Sequence, residues 1–504
     1  RACGQASGAA AEGEHPARPA CRPAAQHGVL LGPVGEPLHP GRVVDARPPV
    51  ERPGVRPGGL ARGGHGGKVR RSRLRAARGA RTISRREPPM TPDKQRVLEL
   101  AERYVCPHRV RTFRALGVEL VMGRREGYRI FDLDGRELLD FHLNGGVFNL
   151  GHRNPALLAV LREALETLDI GNHHFPSVER AALGERLAGC TPGALRYSVF
   201  SSGGGEAVEV ALKTARHATG RRRIVSASGA YHGHTGLALA AGDERQARRF
   251  LSEGAPGEFV HLPFGDRGAL EAALAGREVA ALVLETIPAT LGFPLPPEGY
   301  LEYARALCER TGTLYVADEV QTGLGRTGPL WAVERFGVEP DILVTGKGLS
   351  GGLYPIAATV LSERVAGWLD EDGWAHVSTF GGAEPGCRVA RAVLDATTQP
   401  GLRARVDALA ERFAEGLREV QARHRDWLVE IRQCGLVIGL RFAHPQGGMR
   451  MTGALHEAGV WAMFAGFDPS VLQWKPGLLL DDATADEALA RFADGVARAR
   501  AEAS

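Results

Sequence analysis

Between Arg196 and Ala317 short apolar runs alternate with stretches of helical periodicity, and few folds accept that pattern. Residues 197–200, 223–226, 279–284 and 314–317 read as strands, and 206–219, 270–275 and 300–310 as helices. Such alternation predicts an α/β fold built on a mostly parallel, doubly wound sheet with covering helices. After Thr379-Phe-Gly-Gly382 the pattern changes. Helices over 388–398, 402–424 and 484–501 and a strand over 436–442 predict a smaller α+β domain. Short strands at 119–122, 128–132 and 137–141, with a hairpin signal at Asp134-Gly135, are expected to complete it. The boundaries expected are 145–378 for the large domain, with 90–144 and 379–504 for the small one.

Residues 1–89 stand apart. They hold 17 Lys+Arg against 6 Asp+Glu, a net +11, so a chain with a formal charge of +5 has a body near −6. Rich in Arg, Pro, Gly and Ala, this leader cannot bury enough apolar surface to fold, and disorder is expected. A disordered tail, an Arg-rich targeting peptide and sequence translated upstream of the true start at Met90 compete; the last is favoured. The mildly acidic body gives no electrostatic case for nucleic acid. No run of eighteen apolar residues predicts a membrane span. Seven scattered cysteines without a CxxC pair point to a reducing, cytoplasmic setting and exclude a zinc ribbon.

Open α/β sheets bind ligands at the carboxyl ends of their strands. Two successive strands deliver chemistry there. One ends in Asp318; the other, Ile342-Leu343-Val344, runs through Thr345-Gly346 into Lys347, with Gly348, Gly351 and Gly352 beyond. Desolvation in such a turn lowers a lysine's pKa and suits it to Schiff-base chemistry. A solvated loop lysine is the competing reading. The stretch is no P-loop, because position 341 is Asp and Gly348 follows Lys347 where Ser or Thr is required. The pair Asp318 and Lys347 is what pyridoxal phosphate needs: an acid for its pyridinium nitrogen and an amine for its aldehyde. Ser202-Gly203-Gly204-Gly205-Glu206 joins a strand to a helix, where free N–H groups and the helix dipole favour a phosphate. Tyr231, in Gly229-Ala-Tyr-His-Gly233, can stack on a flat ring, or pack in the core beside a hydrogen-bonded His232. His232 and His234 lack a nearby Cys or Glu to complete a metal set.

These stretches, with Asp318-Glu-Val-Gln321-Thr-Gly-Leu-Gly-Arg-Thr-Gly328, Thr345-Gly-Lys347-Gly and Ser378-Thr379-Phe-Gly-Gly, resemble the class III pyridoxal-phosphate-dependent aminotransferases of fold type I. The resemblance runs from about residue 111 to the C-terminus. Phe148-Asn-Leu-Gly-His-Arg-Asn-Pro and Thr191-Pro-Gly-Ala-Leu-Arg-Tyr-Ser are most similar to the putrescine, ornithine and acetylornithine branch. The resemblance implies that Lys347 binds the aldehyde and moves the proton, while Asp318 pairs with the ring nitrogen. It implies that Tyr231 and Val320 sandwich the ring, with His232 in the same cofactor set, and that Gln321 bonds the phenolic oxygen. Gly204 and Gly205 would hold the phosphate, joined by Thr379 of the other subunit in a homodimer or a tetramer built from it. Glu285 would lie near the substrates, an amine donor and a keto-acid acceptor.

Three positions depart from that pattern. Gly203 stands where the family has Ser, with Ser202 a candidate to compensate. Thr286-Ile-Pro288 replaces Pro-Val-Gln after Glu285. Gln473 occupies the place of a carboxylate-binding arginine and lacks its charged fork; Lys475, two residues on, offers a point charge instead. The expected activity is transfer of a terminal amino group to a keto acid by a ping-pong cycle. An aminomutase or epimerase of the same fold, or a non-catalytic homologue, are the alternatives.

Overall fold

The computed structural model describes residues 90–503 apart from His173; the leader expected over 1–89 lies outside them. Thr91 caps the first helix, Pro92–Tyr104, by accepting the N–H of Lys94. Three antiparallel strands follow: β1 (Met122–Glu126), β2 (Arg129–Asp132) and β3 (Glu137–Asp140). The strand expected over 119–122 starts only at Met122. Upstream, the N–H of Val121 bonds the Asp132 carboxylate at 2.9 Å instead of a strand partner.

The central sheet contains β4 (Leu195–Ser201), β5 (Arg223–Ala227), β6 (Phe259–Leu262), β7 (Val279–Glu285), β8 (Leu314–Asp318), β9 (Ile342–Thr345) and β10 (Ala357–Ser362). Their order is β4-β10-β9-β8-β7-β5-β6. All neighbours are parallel except β10, which runs antiparallel to both β4 and β9. Every residue of β7, β8 and β9 is buried, as strands covered on both faces require. The helix Gly204–Thr219 lays Ala207, Val208, Ala211, Leu212 and Ala215 on Ile224, Ala281, Val283, Val316 and Val344. This is the helix-covered α/β sheet predicted from the alternation.

The C-terminal part adds β11 (Leu428–Cys434), β12 (Val437–Phe442), β13 (Val460–Trp461), β14 (Met463–Phe464) and β15 (Val471–Trp474). Four of them form an antiparallel sheet in the order β11-β12-β15-β14. The fifth, β13, pairs in parallel with β3, about 320 residues earlier in the chain.

Candidate active site

Register aligns three strand ends. Glu285 of β7 lies beside Asp318 of β8, which lies beside Val344 of β9. Beyond β9 the chain turns at Gly346, and Lys347 follows with φ +41°, a left-handed value uncommon for a residue with a Cβ. Its Nζ stands 6.0 Å from the centre of the Tyr231 ring. Burial pulls the lysine pKa below its ordinary value, and the charges of Asp318 and Glu285 oppose that shift without cancelling it.

Asp318 has both oxygens engaged. One accepts the N–H of Val320 at 3.1 Å; the other lies 2.7 Å from His232 Nδ1. Burial works against a charge on His232, but the bond and charge of Asp318 outweigh it, and the imidazole pKa is raised. His232 is therefore tied to the acid through Nδ1. Glu285 accepts the N–H of Tyr231 at 2.9 Å and of Ala289 at 3.1 Å, which fixes the loop that carries Tyr231. Burial raises the Glu285 pKa.

The glycine turn closes against this group. A Cβ on Gly204 would come within 3.1 Å of Val320 Cγ1, and one on Gly233 within 2.6 Å of Gly205 Cα. Gly346 reaches the same corner, 3.7 Å from Gly204 Cα by the same construction. Two glycine loops and the lysine turn thus meet backbone to backbone at the start of a sixteen-residue helix. Gln321 Oε1 and Lys347 Cε converge on Gly145, at 2.9 and 3.0 Å from where its Cβ would be. Pyridoxal phosphate fits this donor set: a cradle that side chains would fill, an acid held by its neighbour, and a desolvated amine.

The remaining expected residues are placed differently. Ser202 Oγ donates to Glu206 at 2.6 Å, so this hydroxyl already has a partner. Thr379 is exposed, and its carbonyl accepts the N–H of Asn172 at 2.7 Å. Gln473 is committed at both ends: Nε2 donates to the Ala289 carbonyl at 2.8 Å and Oε1 accepts from Lys475 Nζ at 2.6 Å. Two groups were not singled out from sequence. Among the described residues His142 Nδ1 is buried without a partner, and Arg326 is fully enclosed, bonding the carbonyls of Pro476 and Leu436. A strand-terminal Asp140 before the Asn144-Gly-Gly146 break was the available signal for the first. Arg326 stood inside a marked motif with no role attached.

The sequence profile of the family described as Aminotransferase class-III matches residues 114–496. An uncharacterized aminotransferase from Archaeoglobus fulgidus is 47% identical over 393 residues, covering 78% of this chain and 92% of that protein. A putrescine aminotransferase from Pectobacterium atrosepticum is 37% identical, covering 66% and 72%. Among solved structures, an ornithine aminotransferase from Toxoplasma gondii with pyridoxal phosphate partly occupying its active site superposes with a TM-score of 0.74 at 28% identity, covering 81% of this chain and 95% of that one.

Proposed function

The chain belongs to the class III aminotransferases, and on that premise we propose that it carries a terminal amino group from an amine to a 2-oxo acid. The observation that carries this reading is the meeting of Asp318, Lys347 and the Gly204-Gly205 cradle at the carboxyl ends of the central strands. The likeness to a putrescine aminotransferase favours an amine on an open chain as donor.

Bound at this edge, pyridoxal phosphate supplies an aldehyde that condenses with amines and a ring that stores the electron pair left when a C–H bond breaks. Lys347 is the amine that anchors it. Freed by substrate, its Nζ, whose pKa burial lowers, would carry the proton between carbon atoms. Asp318 would keep a positive charge on the ring nitrogen, and His232 holds the acid in place through Nδ1. Tyr231 and Val320 would bound the ring, Gln321 would take the phenolic oxygen, and Gly204 and Gly205 would give N–H groups to the phosphate. Glu285, Gln473 and Lys475 border the substrate.

The proposed body divides into a large domain over 145–378 and a smaller one from 90–144 with 379–504. The working form is a cytoplasmic homodimer, with Thr379 serving the partner's phosphate. Supporting this, Phe175, Trp374, Val377 and Phe380 cluster in sequence around Asn172 and Thr379 with more than half of each surface exposed. Among the described residues no helix is long and apolar enough to cross a membrane.

The test follows the absorbance of the holoenzyme. A terminal diamine should bleach the cofactor band in one turnover, and a 2-oxo acid should restore it. A band that no amine bleaches, or a cycle that runs without any 2-oxo acid, would overturn the reading.

A further inference from the structure

At the amino edge of the central sheet β7, β5 and β6 lie side by side and parallel, and the turns that enter them meet. Arg221-Arg222-Arg223 leads from the helix Gly204–Thr219 into β5, residues 255–258 lead into β6, and Arg277-Glu278 leads into β7. Between the three turns lies a cleft of about 460 Å³. Glu285 and Asp318 stand at the other ends of their strands. The seven residues of β7 put roughly 20 Å between its ends, at ~3.3 Å per residue, so this cleft is separate from the candidate active site. Four arginines line it, Arg221, Arg222, Arg223 and Arg277, with Glu258 and Glu278 as the acids. Both acids are already engaged. Glu258 meets Arg216, which lies outside the cleft, at 2.8 Å and accepts the N–H of Ala255 at 2.8 Å. Glu278 accepts from Arg223 at 2.9 Å. The arginines keep unused donors. Arg222 comes no nearer than 3.6 Å to Glu258, and its side chain is 77% exposed. Arg277 stands on a left-handed backbone, φ +53°, and among the described residues its side chain enters no hydrogen bond or ion pair. Arg221 gives Nη1 to the carbonyls of Val279, Thr311 and Gly312, which fixes the guanidinium and leaves its Nε and Nη2 to bond elsewhere. Three guanidinium groups thus lack a full counter-charge, on a body whose net charge is near −6.

We propose that this cleft binds a small molecule carrying two or more phosphate groups, at a second site remote from Lys347. Guanidinium groups meet phosphate oxygens with paired, charge-assisted N–H bonds and stay charged throughout the physiological pH range. A cationic cleft in an otherwise acidic surface concentrates anions from solution. A single negative charge answers one arginine; three uncompensated groups around one cleft call for an anion that carries several. The volume falls in the range of small-ligand sites, about 300–1,000 Å³. None of the described residues lining the cleft is aromatic, so a nucleotide base finds no stacking partner, and recognition rests on the phosphates. Arg221, tied to the start of β7 and to the turn before β8, is the fixed wall. Arg222 and Arg277, loosely held, close on the ligand from the other two turns.

The experiment is calorimetric titration of the cofactor-loaded protein with inorganic tripolyphosphate, so that the glycine cradle is already filled. Tripolyphosphate should bind once per chain, more tightly than pyrophosphate, with inorganic phosphate weakest. Raising the ionic strength from about 0.01 to about 0.1 M shortens the screening length from about 30 to about 10 Å and should weaken binding by about tenfold or more. Arg222→Ala combined with Arg277→Ala should also cost about tenfold or more, with the cofactor band unchanged as the sign of an intact fold. Arg222→Lys with Arg277→Lys, which keeps the charge, should retain most of the affinity. The proposal is overturned if the unaltered protein shows no saturable binding, or if the double alanine variant binds as tightly. Loss of the cofactor band as tripolyphosphate binds overturns it too, since the anion then occupies the cradle. So does a short DNA duplex that binds more tightly than tripolyphosphate and is weakened by the same substitutions, which would make the cleft part of an extended nucleic-acid surface.

Discussion

Lys347 holds its amine in place with a left-handed backbone, φ +41°, where a Cβ costs about 1–2 kcal/mol relative to glycine. Two substitutions separate the side chain from the strain. Lys347→Ala and Lys347→Gly should both lose turnover while still binding the cofactor through the phosphate cradle. The glycine variant should be the more stable by about 1 kcal/mol in denaturant unfolding; activity above a trace in either would remove Lys347 from its role. Asp318→Asn should bind the cofactor and turn over on the order of 10²-fold more slowly, because an amide cannot sustain a charge on the ring nitrogen. The same change releases His232. Its raised pKa means that protonated His232 contributes stability fully below the unfolded value near 6.5 and loses it as pH climbs through the folded value. The stability cost of Asp318→Asn in the cofactor-free protein should therefore be largest below pH 6.5 and shrink above it. Asp318 and Lys347 were legible in the sequence because each stands where an apolar run stops. The bonds of Gln473 were not, since its partner Ala289 lies 184 residues away and nothing local marks it.

At the level of elements, what could be read was whatever repeats. The alternation predicts β4, β5, β7 and β8 and the helices near 206–219, 270–275 and 300–310, while β6, the helices Gly236–Ala241 and Glu244–Arg249, and β10 escaped. Its residues, Ala357-Ala-Thr-Val-Leu-Ser362, mix small and hydroxyl side chains into the apolar run, and they lie between turns without the helical spacing that flags a crossover. The strands β13 and β14, two residues each, are too short to carry any period. The cradle was legible as three glycines, but its second wall was not. Gly233 lies against Gly205 because the loops after β4 and β5, strands that are not neighbours in the sheet, meet there, with φ +124° at Gly233. Gly233→Ala combines a forbidden φ with a Cβ 2.6 Å from another backbone atom. It should weaken cofactor binding by about tenfold or more, measured by absorbance titration. Unchanged affinity would mean that the phosphate sits elsewhere.

For the whole molecule, the exposed Trp374 and Val377 predict the assembly. Replacing both with Glu should yield monomers in sedimentation experiments and cost cofactor retention, if Thr379 serves the neighbour's site; dimers that persist would place the interface on another face. The pairing of β3 with β13 has a consequence in time. About 320 residues separate the two strands, which is roughly 15–60 s of synthesis at ~5–20 residues per second. Throughout that interval the loop after β3, with Gly145 and the stretch that meets Lys347 and Gln321, waits on a strand edge that has no neighbour. Lys475, whose N–H closes on Phe141, emerges later still. A chain terminated anywhere before residue 460 should therefore leave the β13 side of β3 unpaired, an open edge of the kind that recruits other chains.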